Sequence, residues 1–197
     1  MKIYDISQEV FGCVVFPGDP APKKNEISSM ENGALYNLTS FSMCAHNGTH
    51  IDAPRHFIKD GKAVDEMPLE PFIGMAYVKE HTGVVTENDA VKIIEKAKAE
   101  NEESAKRILL KGDLEVSLEA SKVFASLGIL LLGNESQTVG PKDSPMAVHL
   151  ALLSAEVVLL EGIRLNEVPE GVYLLNAAPI NLATSDGAPC RAILITE

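Results

Sequence analysis

The chain has 197 residues, of which 46 % are hydrophobic and 23 % charged; this is close to average globular usage and excludes a disordered, collagen-like or coiled-coil protein. Seventeen basic against 28 acidic side chains leave a formal net charge of −11, which repels phosphate backbones and anionic lipid, so neither nucleic acid nor a membrane is expected as a partner. The length predicts one domain spanning 1–197. No apolar run is long enough to cross a membrane, MKIYDISQEV carries an acid where a secretory leader would be apolar, and three scattered cysteines (Cys13, Cys44, Cys190) fit reduced thiols, which together predict a cytoplasmic protein.

Residues 2–7 read as a short strand, and Phe16-Pro17-Gly18-Asp19-Pro20 as a turn. The alternating, β-rich stretch 35–44 predicts a strand that delivers the chain directly to His46. Further strands are expected at 75–80, at 108–111 and at 129–132, the last apolar throughout as befits a strand covered on both faces. Between them Thr86, with Asp89 three residues on, caps a helix that runs through AVKIIEKAKAE, and a second helix over 118–127 stops at Gly128. Ser144 as N-cap and Pro145 at the first helical position predict a third helix carrying His149 toward Ser154. VVLLEGI then reads as a strand ending at Glu161. The alternation places the chain in the α/β or mixed class, with hairpin-like stretches that argue against a simple doubly wound sheet.

Three of the five histidines fall within residues 46–56. That segment reads H-x-G-T-H-x-D-x-P-x-H: His46, His50, Asp52 and His56 are four ligand or proton-transfer groups in a short window. His50 and Asp52, two apart, project from the same face of an extended segment. A tight turn at Gly48 can fold His46 back beside His50, and Pro54 lets His56 return from the far side. Two imidazoles and a carboxylate hold a divalent first-row metal while leaving positions open for water and substrate, the arrangement of a catalytic rather than a structural site. His149 and Glu161 are the candidates for the second half, because a glutamate inside an apolar run is costly to bury without a cation beside it. His81, in a loop-like stretch, reads as an ordinary surface histidine. Cys44 reads as a packed thiol rather than a nucleophile, no base being assigned to it.

These residues resemble the cyclase-like metal hydrolases, which include bacterial kynurenine formamidase and isatin hydrolase. The IYDIS start, FPGDP at 16–20, residues 60–74, HLALLSAEVVLLEG at 149–162 and DGAPCRAIL at 186–194 extend the resemblance along most of the chain. It implies a swivelling β/β/α fold, a β-barrel-like core wrapped by helices, assembled as a homodimer or homotetramer. It also implies that His46, His50 and Asp52 bind the first metal, that Asp52 bridges to a second held by His149 and Glu161, and that His56 transfers protons. One or two zinc ions are the implied cofactor, with a single manganese as in the isatin-hydrolase branch the alternative. Two departures, the lack of any tryptophan and the stretch Gly133–Thr138, bear on the substrate.

The expected reaction is hydrolysis of a C–N acyl bond in a small molecule, most readily an N-formyl arylamine such as N-formylkynurenine. The alternatives are a hydrolase or lactone-forming cyclase acting on an isatin-like substrate, and a metal-containing binder without turnover.

Overall fold

A computed structural model describes residues 1–196. In chain order the strands and helices are β1 (Lys2–Asp5), β2 (Lys23–Ser28), β3 (Leu38–Ser42), β4 (His50–Asp52), β5 (Ile73–Glu80), β6 (Gly83–Val85), α1 (Glu87–Glu100), β7 (Arg107–Lys111), β8 (Leu114–Val116), α2 (Leu118–Ser126), β9 (Leu131–Asn134), α3 (Met146–Leu153), β10 (Val158–Glu161), β11 (Gly171–Asn176), β12 (Gly187–Pro189) and β13 (Ile193–Thr196). Nine of the strands form one curled sheet in the order β1-β13-β11-β5-β7-β9-β10-β4-β12. Its centre, β5-β7-β9-β10, is parallel, and both flanks are antiparallel. The mixed α/β class and the half-barrel core with helices against it are as the sequence led us to expect.

Alternation explains why the central strands look apolar throughout. Ile108 and Leu110 of β7, Leu132 of β9 and Leu159 of β10 pack on the helix side with Ile93, Ile94 and Phe124. Leu109, Leu131, Val158 and Leu160 point the other way, into the concave face with Ile51, Phe72, Leu175 and Leu194. A strand covered on both faces has no polar side to show. At about 25 cal/mol per Å² of apolar surface, this two-sided burial is the main term holding the sheet.

The helices follow their caps. The Thr86 hydroxyl accepts from the Asp89 amide and the Asp89 carboxylate accepts from the Thr86 amide, a reciprocal pair that opens α1. Ser117 Oγ accepts from Ala120 N at the start of α2. Three expectations need correcting. Strand β9 begins at Leu131, two residues later than read, because Ile129 still closes the helix end through its amide to Phe124 O and pairing with β7 starts only at Leu131. Helix α3 has Pro145 in helical conformation at its N-cap and no side-chain cap, so Ser144 plays no capping part. Strand β3 does not lead straight into the histidines: it pairs with β2 in a separate exposed hairpin, and a turn holding His46 intervenes before β4. No described helix is long and apolar enough to cross a membrane.

Candidate metal centre

The site forms where β9 and β10 end and β4 begins, at the carboxyl edge of the parallel strands where α/β sheets bind ligands. Glu161, the last residue of β10, is registered directly opposite His50, and Leu159 opposite Asp52. His50 and Asp52 therefore share a face by the two-residue period of the strand, and Glu161 joins them as a cross-strand neighbour. His149 enters from α3. His46 is folded back by Gly48, whose φ of 68° only glycine adopts readily, and its ring stands edge-on to that of His50, centroids 5.1 Å apart. His56 closes a single helical turn begun by Pro54, and its ring lies 4.0 Å from that of His46.

Backbone carbonyls fix two of the imidazoles. His50 Nδ1 donates to Gly48 O (3.0 Å) and His149 Nδ1 donates to Pro145 O (2.9 Å), so each presents Nε2 to the carboxylates. His50 Nε2 lies 3.4 Å from Asp52 Oδ1 and 3.6 Å from Glu161 Oε2; His149 Nε2 lies 3.2 Å from Glu161 Oε1 and 3.6 Å from Asp52 Oδ2. Most of these separations are too long for good hydrogen bonds and suit atoms gathered around a cation. His50, Asp52, His149 and Glu161 are each at most 2 % exposed. Glu161 Oε1 accepts from the Val139 amide (2.8 Å), whereas Asp52 Oδ2 is buried without a hydrogen-bond partner.

The electrostatics point the same way. Burial pushes the Asp52 carboxyl up, but hydrogen bonds and charge from His46 and His50 outweigh it and hold the group well below the usual carboxylate range. For His46, burial favours the neutral ring, yet Asp52 (2.8 Å) and Asp186 (3.0 Å) raise it to about 10. His50 and His149 are raised against burial by Asp52 and Glu161 respectively. Among the described residues no lysine or arginine comes within 4.0 Å of these carboxylates. An orphaned carboxylate oxygen, two oriented imidazole nitrogens and a nitrogen-and-oxygen donor set fit a divalent first-row cation.

The atoms fall into three groups able to hold an ion: His46, His50 and Asp52; Asp52, His149 and Glu161; and His46, His56 and Asp186. The five expected ligands and His56 are thus brought together. Asp186 is the residue that sequence reasoning missed. It is the first residue of the DGAPCRAIL segment, which carries part of the family resemblance, and its Oδ2 takes both His46 Nε2 and His56 Nδ1, the latter at 3.2 Å. His81 is half-buried and joins none of these groups; its Nε2 lies 3.3 Å from Val84 O. Cys44 does not line the cavity; its sulfur is 3.9 Å from Asp19. The cavity over the cluster has a volume of about 270 Å³, with Phe16, Asp19 and Phe57 among its walls.

Residues 4–139 match the sequence profile of the Cyclase family. A kynurenine formamidase from Erythrobacter litoralis is 34 % identical over 207 residues, covering 98 % of this chain and 93 % of that one. The chain belongs to the cyclase family. The solved structure of a potential metal-dependent hydrolase with cyclase activity superposes with a TM-score of 0.80 at 28 % identity, over 98 % of this chain and 96 % of that one. Isatin hydrolase A from Labrenzia aggregata shares the fold, with a TM-score of 0.82 at 23 % identity over 100 % and 94 % of the two chains. Cyclase-family membership makes this protein a hydrolytic enzyme that acts on a small molecule with a metal cofactor.

Proposed function

We propose that this enzyme hydrolyses N-formyl arylamines, N-formylkynurenine first among them. The observation that carries the reading is the buried quartet His50, Asp52, His149 and Glu161, with the Asp52 Oδ2 unpartnered, in a chain that aligns over nearly its whole length with kynurenine formamidases. His46, His50 and Asp52 would hold a first ion, and Asp52, His149 and Glu161 a second; zinc is the proposed metal, with a single manganese the alternative. A divalent cation there supplies Lewis acidity, polarising a carbonyl and bringing the pKa of water toward neutrality.

The protein's own groups do the rest. Asp186 engages His56 at Nδ1, which leaves Nε2 to exchange protons with the cavity. His56 takes a proton from the attacking water as the water oxygen bonds to the formyl carbon. When the C–N bond breaks, His56 gives that proton to the amine nitrogen, so that arylamine and formate leave. Phe57, packed against His149 with ring centroids 4.7 Å apart, helps to keep bulk water off the reacting atoms.

Zinc- or manganese-loaded protein should release kynurenine from N-formylkynurenine, followed by absorbance, and should act less well on isatin. Turnover of isatin alone, or of neither compound with either metal, would overturn the reading. We also propose a homodimer or homotetramer in the cytoplasm. Support comes from apolar side chains on the exposed hairpin region, Leu35 at 93 % and Phe41 at 60 % exposure, and from three cysteines that are free thiols. Light scattering of the purified protein checks the assembly.

A further inference from the structure

The cavity over the cluster is small for a whole substrate, since small-molecule sites commonly span about 300 to 1,000 Å³. Three of its wall residues, Phe16, Gln137 and Thr138, also line a neighbouring cavity of about 640 Å³. The loop that carries Gln137 and Thr138 is tied to the metal centre itself. Val139 N donates to Glu161 Oε1, Gly162 N donates to Ser136 O (2.8 Å), and Asn134 Nδ2 donates to Thr138 O (2.9 Å). Gly162, at φ 69°, is what lets the loop approach so closely, because a Cβ there would collide with the Gln137 amide nitrogen.

Two features of this shared wall lack an internal explanation. Both amide atoms of Gln137 and the Thr138 hydroxyl are shut off from solvent without a hydrogen-bond partner, and a buried polar group left unpaired is expensive. Farther into the larger cavity stands Arg164. Its Nη1 is spent on the carbonyls of Glu135, Gly162 and Ile163, while among the described residues its Nε and Nη2 have no partner and no carboxylate lies within 4.0 Å of it. The nearby Glu135 carboxylate is already taken by the amides of Gly112 and Leu165, at 2.8 Å each. A half-buried guanidinium held in place through one nitrogen and open at the other two matches the fork geometry of a carboxylate.

We propose that the larger cavity is the second compartment of the substrate site, that it takes a carboxylate borne on the amine side of the scissile bond, and that Arg164 binds this carboxylate while Gln137 lines the passage. The preferred substrates are then formamides with an anionic tail, rather than bare N-formyl arylamines. This rests on the formamidase reading above, and the test separates the two. Metal-loaded enzyme is assayed on N-formylkynurenine, on its decarboxylated analogue N-formylkynuramine, and on formanilide. The carboxylate should give about tenfold or more in kcat/KM over the decarboxylated analogue, mostly through KM. Arg164→Met should bring that ratio to within about twofold, and Gln137→Leu should raise KM for both tailed compounds. Equal rates on the tailed pair, or a folded Arg164→Met protein that keeps the preference, would overturn the proposal. Turnover of none of the three would instead overturn the formamidase reading. Calorimetry of kynurenine against kynuramine on metal-free wild-type protein decides the matter without turnover or a variant: binding of kynurenine no tighter than kynuramine sinks the second compartment.

Discussion

Two clusters of buried or half-buried charge sit at different places on the same sheet, and they solve their electrostatics in opposite ways. Beside β5 and β11, the Glu170 carboxylate is met by Lys79 (2.5 Å), Lys96, Tyr77 (3.1 Å) and the Glu80 amide. That network contains its own cations. At the metal centre, Asp52 and Glu161 meet imidazoles and, at Glu161 Oε1, the neutral Val139 amide, but no lysine or arginine among the described residues, and Asp52 Oδ2 has no hydrogen-bond partner. Removing two carboxylates from water costs several kcal/mol each unless positive charge comes with them. The Glu170 cluster meets that cost from within the chain, and the metal centre does so only in part, by raising histidine pKa values. Self-sufficient charge reads as structure, and charge left short reads as a site for something that binds.

The contrast breaks most sharply if the metal centre can live without its ion. Asp52→Asn removes the one carboxylate common to two of the three ligand groups, so metal content should fall and turnover drop by about a thousandfold or more. Because ion binding contributes to folding, a chelator should lower the Tm of wild type and leave that of the variant nearly unmoved. Unchanged metal stoichiometry in Asp52→Asn would remove Asp52 from the ligand set.

A smaller effect separates holding the ion from moving the proton. His56 is partly exposed and reaches the cluster through Asp186. His56→Ala should keep metal near the wild-type level while kcat falls by about a hundredfold or more, as loss of a general base commonly costs. Asp186→Asn keeps a group at the His56 Nδ1 position but removes its charge. The expected loss is about tenfold in kcat with metal retained, in line with the cost of disturbing the residue behind a working imidazole. Metal loss in Asp186→Asn would show that the third ligand group is itself an ion site.

These two variants also mark what the sequence could disclose. His46, His50, Asp52 and His56 were legible because their contacts are local: a strand period of two, a glycine turn and a proline turn bring them together within eleven residues. Glu161 was legible as a charge inside an apolar strand. Asp186 was not, since it meets His46 across 140 positions and His56 across 130, and nothing local distinguishes it from a surface aspartate. The hairpin of β2 and β3 defeated pattern reading for the converse reason. Its alternation is real, but it has no buried face to serve, so a strand signal there said nothing about proximity to the site. The two-residue offset at β9 came from Ile129, whose apolar side chain looks like strand while its amide finishes a helix.

The smallest expected effect tests the self-sufficient side. The Glu170 carboxyl is held at about 2: burial pushes it up, but the hydrogen bonds from Lys79 and Lys96 more than reverse that. A carboxyl depressed from its ordinary value near 4.5 contributes stability that is complete above pH 4.5 and is lost as pH falls toward 2, because there the unfolded chain binds the proton first. Its side chain is 25 % exposed and that of Lys96 49 %, so solvent screens the network and Glu170→Gln should lower Tm at neutral pH by no more than about 3 °C. The difference in Tm between wild type and variant should shrink steadily as pH is lowered from 4.5, measured on metal-free protein so that ion release does not intrude. A difference that stays constant over that range would mean that Glu170 works by packing and neutral hydrogen bonds, and that its charge is no more balanced by design than the charge at the metal centre.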